Sequence, residues 1–296
     1  MDSMLSTVGL PVALGVIMFG LGLSLTVADF ARVRKSPKAV AIALLCQLVL
    51  LPVVCFGLVL ALDLPPLLAV GMMLLAASPG GSTANLFSHL FRGDVALNIT
   101  LTAINSVVAI ISLPIVTNLA MAYFDLGDEV SLQYGKVIEV FAVVLVPVGL
   151  GMLVRAKRPD FADAMDKPVR IGSAVLLFVI IAGIVVDQRS NVGDYAASVG
   201  LAVTIFCIAS LVIGFVVPSW AGVTDRQAVA CSFEIGVHNA TLAIYVAVEV
   251  LDSVELSVPA AVYGLVMFVL AALWGLVLTR WILPRSKARA LPSHHG

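Results

Sequence analysis

Seven residues, Phe233-Glu-Ile-Gly-Val-His-Asn239, place a carboxylate, an imidazole, a carboxamide and a glycine in a run that is otherwise apolar. That run, 228–251, is long enough to cross a bilayer. Where water is scarce, Glu234, His238 and Asn239 each need a partner, so stability alone does not account for the three together. A buried carboxylate needs a cation, a proton or a partner, and no Lys or Arg lies at comparable depth in any apolar run. Glu234 therefore reads as functional. His238 has three open roles: ligand, proton carrier or packed neutral imidazole.

A second stretch has the same character. Ser78-Pro-Gly-Gly-Ser-Thr-Ala-Asn85 lies in the middle of an apolar run, where proline removes a donor and two glycines ease departure from helical geometry. Apolar sequence continues on both sides, so the spacing predicts a helix broken inside the membrane. Such a break exposes backbone groups at mid-depth. Half-helix N-termini attract anions, and freed carbonyls suit a hard cation such as Na⁺. The side chains gathered around the two breaks are Ser82, Thr83, Asn85, Glu234, Asn239 and Thr241. The next run adds Asn98 and Thr102, four apart and so on one helix face, with Thr100, Asn105 and Ser106 nearby. Gln47 is the only strongly polar residue of its long apolar run. The plainer reading is that Thr100, Ser106 and Thr241 bond their own preceding turn, and that a lone Gln or Asn joins helices.

The elements that position these residues follow from composition. Hydrophobic residues make up 61% of the 296 and charged residues 12%, half the charge of an ordinary soluble domain at about 25%. The net charge of -1 argues against a nucleic-acid partner. Cys46, Cys55, Cys207 and Cys231 all fall in apolar runs without C-x-x-C spacing and read as small core residues. Windows of membrane-spanning length recur nine times, at 7–28, 38–61, 65–90, 95–122, 133–154, 168–187, 196–218, 227–251 and 258–282. The first is too long for a signal-peptide core and has no basic residue before it. Every second loop is basic: Arg32 to Lys38, Arg92, Arg155 to Arg170, Arg226, and the tail 285–296. These belong in the cytoplasm, which puts the N-terminus outside. The chain thus reads as one all-α polytopic membrane domain. Spans 7–122 and 168–282 form two four-span units of opposite orientation, joined by 133–154, with the broken helix third in each. Paired interruptions in an inverted repeat point to a transporter's binding site.

At this point the sequence resembles the bile acid:sodium symporters over nearly its whole length. The likeness rests on Met18-Phe-Gly-Leu-Gly-Leu-Ser-Leu25, Pro79-Gly80-Gly81 followed by Asn85, Arg92-Gly-Asp-Val-Ala-Leu97, and Glu234-Ile-Gly236 with Asn239. The resemblance implies a nine-span form in a bacterial inner membrane, with a panel of spans one, five and six and a core of the others, in which the two broken helices cross. It implies Na⁺-coupled symport of an organic anion by alternating access. One sodium site carries over to Asn85, Asn98, Thr102 and Glu234, with Ala84 where a serine is frequent. The second carries over to Gln47, Glu234, the carbonyls of Ile235 and Val237, and His238, which stands where glutamine is usual. A neutral imidazole suits protons and soft metals better than Na⁺. Ser82, Thr83 and Asn239 fall at the substrate position. Met267 and Phe268 replace a polar pair of some relatives, which favours a small carboxylate over a bile acid.

Two rival readings remain at this stage. One keeps the transporter and makes the ion H⁺, carried by Glu234 and His238. The other is an intramembrane acyltransferase, from the His89-x-x-x-x-Asp94 spacing. Asp94 equally reads as the N-cap of the following span, and no zinc motif is present.

Overall fold

The computed structural model describes residues 10–126, 134–187 and 192–283. Every named element among them is helical. The loop charges Asp128, Glu129 and Arg189, and the basic tail 285–296, lie outside the described residues.

Helix α1, Leu10–Ser24, is followed by a 67° bend into the short α2, Val27–Ala31. The bend has a chemical cause that the apolar run concealed. Asp29 accepts hydrogen bonds from the Thr26 N–H and hydroxyl, both at 2.7 Å, and from Arg32 at 2.6 Å, so a new helix is capped where the first stops. Helix α3, Pro37–Ala61, carries a π-turn at Cys46–Leu50. Pro52 follows it, and a proline ring disrupts the regular bonding of the preceding turn. Gln47 sits on that turn.

Next come α4, Pro66–Ala77, α5, Ser82–Leu90, and α6, Val95–Tyr123. Asp94 caps α6 as the sequence predicted, its Oδ1 accepting from the Leu97 N–H at 3.1 Å. Helices α7, Tyr134–Lys157, and α8, Pro159–Asp187, are separated by Arg158 alone. The sequence had placed a basic loop over 155–170. Instead the helix extends outward from residue 168, with Pro159 at its first position, Asp160 in its first turn, and an Arg155–Asp163 ion pair across the joint. The chain closes with α9, Val192–Trp220, α10, Asp225–Gly236, α11, Ala240–Val250, and α12, Val254–Ile282.

Helix α1 packs on α7 and α8, which also pack on each other. Helix α9 packs on α10 and α12, α4 on α6 and α12, α10 on α5 and α6, and α11 on α12. Helices α11 and α12 also reach α1, α7 and α8. Among the described residues, α3, α6, Val199–Trp220 of α9 and α12 are long and apolar enough to cross a membrane, and the bent α1–α2 pair makes a fifth. Their outward faces carry Val53, Ile111, Leu119 and Val269, all exposed, as lipid contact requires.

The α1–α7 contact is backbone on backbone. A Cβ on Gly22 would fall on the Val148 carbonyl, and one on Gly151 would lie 2.8 Å from the Gly22 Cα. Close helix packing of this kind depends on small residues. Gly22→Leu and Gly151→Leu should each destabilise the protein by about 1–3 kcal/mol. Gly149→Ala, where nothing lies within 4 Å of the added carbon, should leave the melting temperature in detergent unchanged or slightly raised.

Candidate functional site

Breaking two helices at one depth frees backbone donors and acceptors that have no water to bond. The chain meets most of these needs by crossing the breaks over one another. Gly80 and His238 form an isolated antiparallel bridge. The Asn239 N–H donates to the Pro79 carbonyl at 2.8 Å, and the Gly81 N–H to the Val237 carbonyl at 3.2 Å. Each break thus serves as the other's strand partner.

Side chains from neighbouring helices take the remaining carbonyls. The Ser78 carbonyl accepts from Gln47 Nε2 and from His238 Nδ1, both at 3.0 Å. The Gly236 carbonyl, at the end of α10, accepts from the Tyr263 hydroxyl at 2.9 Å. Asn239 Oδ1 accepts from the Leu242 N–H at 3.1 Å and so caps α11. The sequence assigned Asn239 to substrate, and in the folded chain its oxygen is occupied by this cap.

Glu234, on the last turn of α10, is fully buried against this crossing. Its Oε2 accepts from the Thr102 hydroxyl at 2.5 Å, and its Oε1 from Asn105 Nδ2 at 3.0 Å. The Gly80 backbone also bonds the carboxyl. No side chain fits there: a Cβ on Gly80 would lie 2.5 Å from both Cδ and Oε1 of Glu234. Asn98, Thr102 and Asn105 follow at i, i+4 and i+7, one face of α6. The sequence selected the first two for the site and named Asn105 only as a nearby polar residue, although the same periodicity contains it.

Several acceptors in this region have no hydrogen-bond partner. They are the carboxamide oxygens of Gln47, Asn85, Asn98 and Asn105, and His238 Nε2. Asn98 spends its amide on the Ala230 carbonyl at 2.7 Å, which leaves its oxygen free. His238 Nδ1 faces a carbonyl, which only accepts, so Nδ1 carries the hydrogen and Nε2 of the neutral ring is a bare lone pair. The ring is held between Phe206, stacked at 5.6 Å, and Tyr263, edge-on at 5.4 Å. Unpartnered buried acceptors are costly, and all of these call for a positive or donating guest.

These atoms divide into two neighbourhoods. Glu234, Thr102 and Asn105 are directly bonded, with Asn98 one turn away on the same face of α6. Gln47 and His238 are joined through the Ser78 carbonyl. Ile235 and Val237 are buried at the end of α10, and the Val237 carbonyl already holds the Gly81 N–H. Thr83 lies half-buried in the first turn of α5, and the Ser82 side chain lies outside the described part. Among the described residues no three His, Cys, Asp or Glu side chains gather as a metal-binding group. One carboxylate with carboxamide, hydroxyl and carbonyl oxygens suits a hard monovalent cation.

Comparison with known proteins points the same way. The model of the sodium bile acid symporter family matches residues 11–195. The chain is 27% identical over 272 residues to the probable sodium/metabolite cotransporter BASS1, chloroplastic, of Arabidopsis thaliana, covering 89% of this chain and 66% of that protein. It is 28% identical to the sodium-dependent transporter YocS of Bacillus subtilis, covering 85% of this chain and 77% of that one. It is 27% identical to the human ileal sodium/bile acid cotransporter, covering 80% and 68%.

The contact between Gly80 and Glu234 generates a prediction for the site. Gly80→Ala should cost about 1–3 kcal/mol of stability by overpacking, read as a lowered melting temperature. Gly81→Ala, whose nearest atom is 3.9 Å away, should cost far less.

Proposed function

The chain belongs to the sodium bile acid symporter family, and on that premise we propose that it is a secondary active transporter coupling entry of an organic anion to Na⁺. Members of this family are transporters, so the protein is not an enzyme. The spacing of His89 and Asp94 has a structural account, since His89 is exposed at the end of α5 and Asp94 caps α6.

One observation carries the reading: a fully buried carboxylate at the crossing of two broken helices, bonded to Thr102 and Asn105 and, among the described residues, to no cationic side chain. The first Na⁺ is held by Glu234, Asn85, Asn98 and Thr102. The second position is formed by Gln47, Glu234, the carbonyls of Ile235 and Val237, and His238. The substrate, a small carboxylate, lies by the crossing at the N-terminus of α5, near Ser82, Thr83 and Asn239, where half-helix dipoles favour an anion.

The mutual packing of α1, α7 and α8, which meet the other helices mainly through α11 and α12, supports a panel that rocks against the remaining helices. Na⁺ bridges α6 to the crossing and fixes the geometry of the anion site, so the two ligands bind with positive coupling. The alternation of basic loops supports an orientation with the N-terminus outside and the C-terminus in the cytoplasm, in what we take to be a bacterial inner membrane.

Reconstituted into proteoliposomes, the protein should take up its anion several-fold faster with an inward Na⁺ gradient than with choline. Equal uptake in both would exclude sodium coupling. Asn98→Ala should raise the half-maximal Na⁺ concentration by about tenfold, or roughly 1.4 kcal/mol.

The bare Nε2 of His238 favours a second reading, in which a proton takes the second cation position, with Glu234 and His238 as its carriers. A Glu234→Gln variant that still transports and is insensitive to pH would remove the requirement shared by both ions.

A further inference from the structure

Asn105 is 2% exposed and has one partner for its amide, Oε1 of Glu234. An ionised carboxylate only accepts, so the NH₂ of Asn105 must face it and Oδ1 must face away. While its amide holds Glu234, Asn105 turns its oxygen away from that carboxylate and from a cation bound on the same carboxylate oxygen. Thr102 holds the other carboxylate oxygen from the same face of α6. The Gly80 backbone adds a further bond from the crossing. Neutral donors therefore engage both oxygens of Glu234, and among the described residues no cationic side chain takes part.

A transporter of this kind has to complete its cycle by reorienting without its cargo. A bare carboxylate buried at mid-membrane would oppose that step. A hydrogen bond to a carboxylate weakens once a cation neutralises its charge, because hydrogen bonds to full charges are the stronger ones. A donor on Glu234 thus stabilises the cation-free carrier more than the loaded one. By linkage it also opposes cation binding by the same factor.

We propose that Asn105 is a positioning residue that stands in for the coupling ion: with Thr102 it clasps Glu234 in the cation-free carrier, keeping the carboxylate buried and in place for the return step. The proposal rests on the sodium-coupled reading above. It assigns Asn105 a sign opposite to that of a ligand, because its removal should make the protein bind Na⁺ more tightly.

The test is thermal unfolding of the purified full chain in detergent, titrated with NaCl against choline chloride at constant ionic strength. The proteins compared are the unaltered chain, Asn105→Leu, which fills the space without a donor, and Asn105→Ser, which restores one. Asn105→Leu should lose stability in choline but much less at saturating Na⁺. Its half-maximal Na⁺ concentration should fall by about threefold to tenfold, as a lost charge-assisted bond predicts. Asn105→Ser should return toward the unaltered chain.

Equal destabilisation in both salts with an unchanged midpoint would overturn the proposal and leave Asn105 a structural residue. A raised midpoint would overturn it by making Asn105 a ligand. If the unaltered chain melts at the same temperature in both salts, the sodium reading itself fails and the clasp fails with it.

Discussion

A carboxylate in the middle of a bilayer has to be matched by donors or by a cation, and the rest of this structure is arranged around that need at Glu234. The residue is fully buried, and its bonded neighbours are Thr102, Asn105 and the Gly80 backbone. They come from two elements far apart in sequence, α6 and the first break. The carboxylate thereby ties α10 to both. Gly80 has to be glycine because the carboxyl occupies the volume of its missing Cβ.

The second constraint is backbone accounting at the two breaks. Neither interruption satisfies its own freed groups. Placed across each other, they form a short antiparallel bridge that answers several of them at once. The Gln47 amide, the His238 ring and the Tyr263 hydroxyl answer the carbonyls that remain. The bridged crossing holds the carboxylate of Glu234 in place, and the buried oxygens of Asn85 and Asn98 are left without partners. Pre-positioned oxygens of that kind can replace the hydration shell of a small cation.

Much of this was legible in the chain, for local reasons. Proline and paired glycines announce a broken helix wherever they stand, so the break at 78–81 followed from residue type. The face shared by Asn98 and Thr102 followed from helical periodicity, and the Asp94 cap from its place before an apolar run. The features missed depend on tertiary contact or on competing local signals. Asn105 lay on the predicted face, yet nothing local separated it from a polar residue joining helices; only the folded chain shows Glu234 beside it. The role of Tyr263 depends on a carbonyl freed 27 residues earlier. The bend at Thr26 was hidden by continuous hydropathy, because a capping box weighs little in a hydrophobic window. The helix through 159–168 was masked by its charges, which form an amphipathic extension rather than a loop.

The account stands on Glu234 being the wall of a cation site. The most direct measurement is equilibrium binding of radioactive sodium to the purified protein, compared between the unaltered chain and Glu234→Gln after both are shown to be folded and monodisperse. The account predicts saturable binding that is displaced by unlabelled Na⁺ in the unaltered chain and is lost in Glu234→Gln. Equal binding in the two proteins would contradict it.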